Sequence, residues 1–94
     1  MDLHYVYILT NTNHTVLYVG RSKQLKKRLK QHENNSLKSF TGKYNVHKLV
    51  YFETTPYVNN SIKRERQIKK WNREWKENLI NDMNPDWNDL SYLL

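Results

Sequence analysis

Residues 5–20, YVYILTNTNHTVLYVG, carry β-branched and aromatic residues up to a polar Asn-Thr-Asn-His and resume them beyond it. Two strand-forming segments around a turn-forming tetrad predict a β-hairpin. A loop centred on Thr12-Asn13 pairs residue 10 with 15, 9 with 16, 8 with 17 and 7 with 18. That register sets Tyr7 directly opposite Tyr18 on one face of the sheet. The next stretch, RSKQLKKRLKQHENN, has Leu25 and Leu29 at i, i+4 spacing. It predicts a helix of about three turns with Ser22 as N-cap and Asn34-Asn35 closing it. SLKSFTGKYN is a polar loop that turns at Gly42. VHKLVYFETT, Val46 to Thr55, is apolar on both faces and predicts a central strand, ended by Pro56.

From Asn59 to Asp82 the pattern is helical, with Ile62, Ile68, Trp71, Trp75 and Leu79 as the apolar stripe. The segment is long enough for two helices with a bend near Asn72. Pro85 cannot continue it, and Trp87, Leu90, Tyr92 and Leu93 are expected to fold back as an apolar cover. The order β-β-α-β-α-α defines a small α+β fold, one sheet with helices packed on it, with residues 1–94 forming a single domain.

Composition narrows the classes. Hydrophobic residues make up only 37%, but three Trp, seven Tyr and two Phe bury much area each, which favours a folded chain over disorder. With no cysteine, thiolate nucleophiles, thiolate metal sites and disulfides are excluded. MDLHYVYIL lacks a basic region followed by an apolar run, and no stretch approaches the roughly 20 apolar residues of a membrane span. The expected setting is a reducing, cytoplasmic one without a membrane partner. Charge changes the picture most. Sixteen Lys and Arg stand before residue 77 against five Asp and Glu, a balance of +11, and the last 18 residues carry four acids and no base. Such a block fits a polyanion, meaning nucleic acid; the bland alternative is that it only keeps the chain soluble.

Arg28 and His32 lie i, i+4 on one helical face beside the Leu25–Leu29 stripe. A guanidinium there suits phosphate and an imidazole suits proton transfer, while a solvated basic face is the plain reading of KKRLK. Glu65 sits in IKRERQIKKW, where seven of the fourteen residues 63–76 are basic. A lone carboxylate among cations fits a salt bridge, or one hydrated divalent ion. No phosphate-cradling glycine loop, HExxH or serine elbow competes.

Together these residues resemble the GIY-YIG nuclease superfamily, which includes the N-terminal domain of an excinuclease component and homing endonucleases. YVY (5–7) stands where the superfamily has Gly-Ile-Tyr, and YVG (18–20) where it has Tyr-Ile-Gly. RSKQLKKRLKQH matches the helix with its arginine at Arg28 and its histidine at His32, and RERQIKKW matches the helix with the metal-binding glutamate, at Glu65. FTGKYNVHKLVYFE and LINDMNPDWNDL are similar to the small stand-alone branch. Tyr5 departs from the glycine of the first motif, and the asparagine of some relatives has its nearest counterpart in Asn78, with Glu77 competing for the spot.

The resemblance implies a three-stranded antiparallel sheet flanked by helices and a metal-dependent endonuclease acting on nucleic acid, DNA before RNA, in a DNA-repair setting. It implies Tyr7 as general base relieved of its proton by His32, Tyr18 positioning water or phosphate, Arg28 stabilising phosphoryl charge, and Glu65 holding one Mg²⁺ or Mn²⁺. Gly20 is expected to let the chain turn tightly between strand and helix. Arg21, Lys23, Lys27, Lys69 and Arg73 are the expected phosphate contacts, and a partner protein is a candidate source of specificity. The alternative is a non-catalytic nucleic-acid-binding module with the same fold.

Overall fold

The computed structural model describes residues 2–34 and 45–94. It contains β1 (His4–Thr10), β2 (Leu17–Ser22), α1 (Leu25–Asn34), β3 (Lys48–Thr55), α2 (Val58–Lys70) and α3 (Arg73–Met83), closed by a 3₁₀ turn at Ser91–Leu93. The three strands form an antiparallel sheet in the order β2-β1-β3. The expected α+β architecture holds, with one exchange of place. β1, not β3, is the central strand, and nearly all of it is buried. β3 carries apolar residues on both faces because helices or tail cover both sides of the sheet, not because strands flank it. The expected loop at 36–45, its turn at Gly42 and the close of α1 at Asn35 lie outside the described residues, save Asn45.

Alternation along β1 builds two cores. Val6 and Ile8 face one side with Val19, Val50, Tyr51, Ile68 and Ile80, so α2 and α3 cover that face. Tyr7 and Leu9 face the other with Leu25, Val46, Leu49 and Leu90, under α1 and the C-terminal tail. The β1–β3 register shifts between Ile8 and Leu9, which pair with Tyr51 and Leu49. Val50 is the extra residue, and the bulge turns Tyr51 and Leu49 to opposite faces.

The hairpin register differs from expectation. Thr10 pairs with Leu17, Leu9 with Tyr18 and Tyr7 with Gly20, two residues along from the predicted pairing. The cause is Asn11. Its Oδ1 accepts from the amides of Thr15 at 2.8 Å and Val16 at 3.1 Å, so these amides close the loop instead of entering the ladder. Tyr7 and Tyr18 stay on one face because a slip of two preserves alternation, but they are diagonal neighbours.

Ser22 ends β2 instead of capping α1. Its Oγ accepts from Gln24 N at 3.0 Å, and the Gln24 carbonyl takes the amide of Arg28 at 2.9 Å. The bend between α2 and α3 falls where the sequence puts it, with Asn72 Oδ1 accepting from Trp75 N at 2.9 Å as the cap of α3. Of the expected stripe, Ile68 is buried but Trp75 is exposed, edge-on to Trp71 at 5.9 Å between centroids. The tail covers the sheet only in part. Leu90 is buried and its amide donates to Leu49 O at 2.7 Å, whereas Tyr92 and Leu93 are exposed.

Candidate active site

The site lies at the outer edge of β2, where α1 from one face of the sheet and α2 from the other come within reach of the same strand. Tyr7 is at its centre, with 1% of its surface exposed. Gly20 faces it across the ladder. A Cβ at Gly20 would lie 2.6 Å from Tyr7 Cζ and 2.6 Å from its hydroxyl, so the ring lies directly over the glycine backbone. Gly20 has no positive φ. Its part is to admit the tyrosine rather than to turn the chain.

Arg28, on α1, donates to the Tyr7 hydroxyl, while Tyr18 and Glu65 lie close enough to act on it electrostatically. Four separate elements therefore bring Tyr7, Tyr18, Arg28 and Glu65 together. Burial, reinforced by Tyr18 and Glu65, pushes the Tyr7 phenol up to about 12, and the Arg28 contact opposes this without prevailing. Tyr7 thus holds its proton at neutral pH. The backbone of His32 belongs to α1; its side chain is outside the described residues.

Glu65 is largely buried and paired on both oxygens. Lys69 Nζ lies 3.3 Å from Oε2, one helical turn on, and Arg21 Nε lies 3.9 Å from Oε1. The second distance attracts but is too long for a hydrogen bond, and the buried Arg21 Nε finds no hydrogen-bond partner among the described residues. An N–H without a hydrogen-bond partner next to a carboxylate fits a site that takes a group bringing its own oxygens, such as a hydrated ion or a phosphate, alongside the pair. No group of three or more His, Asp or Glu that could hold a metal occurs among the described residues. One carboxylate with water and phosphate completing the shell is a donor set that Mg²⁺ accepts.

The other expected residues separate. Lys23 and Lys27 are exposed at the start of α1 and line a groove described below. Lys69 stays beside the site. Arg73 does not: it donates to Glu77, to Thr15 O at 2.9 Å and to His14 O, fastening α3 to the β1–β2 loop. Three of its five N–H donors are thus engaged inside the fold, away from the Tyr7 site, while the side chain keeps 44% of its surface exposed. Asn78 lines a shallow groove with Trp71 and Trp75. Lys76, two residues and about 200° around the helix from Asn78, is the α3 residue that lines the groove beside Tyr18 and Lys69. Nothing in the sequence marks Lys76 among seven basic residues in fourteen.

Fold and site define a small α+β domain that gathers two phenols, a guanidinium and a carboxylate at one edge of its sheet. The GIY-YIG catalytic domain matches residues 3–78, and the chain belongs to that family, a nuclease superfamily whose substrates are nucleic acids. Among its relatives is a UPF0213 protein of Staphylococcus saprophyticus, 34% identical over 82 residues, covering 87% of this chain and 99% of that one. Another, from Syntrophus aciditrophicus, is 37% identical over 87 residues, covering 92% and 98%. These relatives are themselves little longer than the domain. The solution NMR structure of a UPF0213 protein from Bacillus halodurans shares the fold, with a TM-score of 0.60 and 24% identity over 97% of this chain and 96% of that one.

Proposed function

We propose that this protein is a metal-dependent endonuclease that hydrolyses phosphodiester bonds, with DNA as the first substrate to test. The observation that carries the reading is the convergence of Tyr7, Tyr18, Arg28 and Glu65 from four elements onto one edge, beside a buried Arg21 N–H that is ion-paired with Glu65 but has no hydrogen-bond partner among the described residues. Tyr7 accepts the proton of the attacking water. Since burial holds its own proton firmly, that proton must leave in the same event, and His32, one turn after Arg28 on α1, is the residue assigned to take it. Tyr18 positions water or phosphate. Arg28 and Arg21 stabilise charge growing on the phosphoryl oxygens. Mg²⁺ or Mn²⁺ held by Glu65 would polarise the phosphate and stabilise the leaving oxygen.

The paired state of Glu65 supports a second reading, a nucleic-acid-binding module in which that carboxylate is structural. Glu65→Gln separates the two. In a nuclease, cleavage of labelled nucleic acid with Mg²⁺ or Mn²⁺ falls by orders of magnitude, to the level seen with chelator, and binding holds or tightens. If Glu65 is structural, the variant is slightly less stable, by up to about 1 kcal/mol for a pair whose lysine is exposed, and it handles nucleic acid as the wild type does, whether by cutting or by binding alone. Tyr7→Phe, which keeps the ring over Gly20, is the companion variant, and it should bind but not cut.

A further inference from the structure

Tyr5 stands two residues before Tyr7 and pairs with Ser22, so it occupies the next position on the same face of the sheet. At 3.4 Å per residue the two are about 7 Å apart along β1. Beyond Tyr5 the sheet opens into a groove of about 440 Å³, within the size range of small-ligand sites. Its floor is apolar: buried Leu25 with half-buried Tyr5 and Leu94. Its rim is Lys23, Lys26, Lys27 and Lys30, all exposed, and among the described residues no acidic side chain lines it.

That combination is selective. Four ammonium groups with no acidic side chain beside them among the described residues attract any polyanion, but they do not require an aromatic and aliphatic floor. An apolar floor rejects a bare phosphate or a hydrated ion, and its own charge rim rejects a neutral apolar ligand. A nucleotide satisfies both parts, its base on the floor and its flanking phosphates among the lysines. A base inside a duplex cannot do so, because both its faces are already stacked and its edge is paired; only an unpaired nucleotide can enter.

We infer that this groove takes an unpaired nucleotide of the substrate strand next to the scissile phosphate, so that the protein prefers flapped, overhanging or single-stranded nucleic acid over blunt duplex. The inference rests on the nuclease reading for the word substrate, and on the groove alone for binding.

The test uses the full chain carrying Tyr7→Phe, so that binding is read without cutting. DNA and RNA oligonucleotides are compared as blunt duplex, duplex with a single-stranded overhang, and single strand, each with a fluorescent adenine analogue moved along the unpaired region. At least tenfold tighter binding of the overhang than of blunt duplex is expected, with fluorescence quenched at one position only, where the analogue stacks on Tyr5. Tyr5→Ala should abolish the quench. Lys26→Glu with Lys30→Glu, on exposed positions that the fold does not need, should erase the preference for the overhang. Equal affinity for blunt and overhanging duplexes, or a quench that survives Tyr5→Ala, overturns the inference, as does failure to bind any oligonucleotide. The nuclease reading stands or falls separately on wild-type cleavage. Cutting of blunt duplex with no groove preference keeps the enzyme and removes the groove, and an uncut but selectively bound overhang does the reverse.

Discussion

Gly20 shows how one absent carbon can hold a side chain of the candidate site in place. Adding a methyl there puts Cβ 2.6 Å from the Tyr7 ring, and the ring, buried on the far side, has little room to retreat. Gly20→Ala is therefore expected to lower stability by about 1–3 kcal/mol through overpacking, and to displace the hydroxyl from Arg28 and suppress cleavage. In a Tyr7→Leu background the same substitution should cost far less, since the ring it strikes is gone. A denaturant double-mutant cycle measures the coupling, and additive costs would show that Gly20 serves some other purpose. The glycine's role was not legible in the sequence. Close approach leaves no local signature, and a glycine after a strand reads as a turn. The identities of Tyr7, Tyr18, Arg28 and Glu65 were legible, because motif spacing carries them; the elevated Tyr7 pKa was not, because burial is a property of the assembled core.

Among elements, the β1–β2 loop and α3 act as one unit. Arg73 reaches across to the carbonyls of His14 and Thr15, and the His14 ring stacks on Trp87 at 4.7 Å while Lys48 Nζ stands 3.0 Å from its Nε2. A lysine donates only to an unprotonated nitrogen, so this packing favours neutral His14. Burial, then Lys48 and Arg73, hold its pKa below the usual 6.5. The unfolded chain therefore takes up a proton that the folded one refuses as pH drops below 6.5, and stability falls toward the lower folded pKa; above 6.5 the residue contributes no pH dependence. Melting temperature followed from pH ~7 to ~5 should decline in the wild type and decline less in His14→Asn, a residue that tolerates the positive φ of 56° at this position. Identical slopes would clear His14 of the effect. At this scale the helices and the break at Asn72 could be read from periodicity and an Asn at the cap. The place of β3 could not, since apolar residues on both faces mark a covered strand whether neighbours lie beside it or helices lie above and below.

For the molecule as a whole, charge is arranged to suit one long anionic partner. The four lysines of the groove, Arg28, and the Lys69–Lys76 pair beside Tyr18 follow one another past the edge of β2, whereas the acids after residue 76 stand beyond the block that holds every Lys and Arg. Nucleic-acid affinity should accordingly fall steeply with salt, by tenfold or more between about 50 and about 200 mM, as counterions released on binding are opposed. A titration flat over that range would mean that these cations do not meet phosphates. Among the described residues no helix is long and apolar enough to cross a membrane. The sign and placement of the charge were visible in the sequence, but the groove was not, because Tyr5, Lys23 to Lys30 and Leu94 meet only once the tail has folded back.

Asn11 carries more information than its place in a loop suggests. The alternation of side chains along the hairpin encodes which face each tyrosine takes, a matter of odd or even, and is silent about offset. Pairing Tyr7 with Tyr18 or with Gly20 satisfies it equally. Only the second sets the ring above a residue that has no side chain. One carboxamide, by claiming the amides of Thr15 and Val16, selects between two arrangements that hydrophobicity cannot tell apart, and so writes the address of the proposed base from a loop that never touches it.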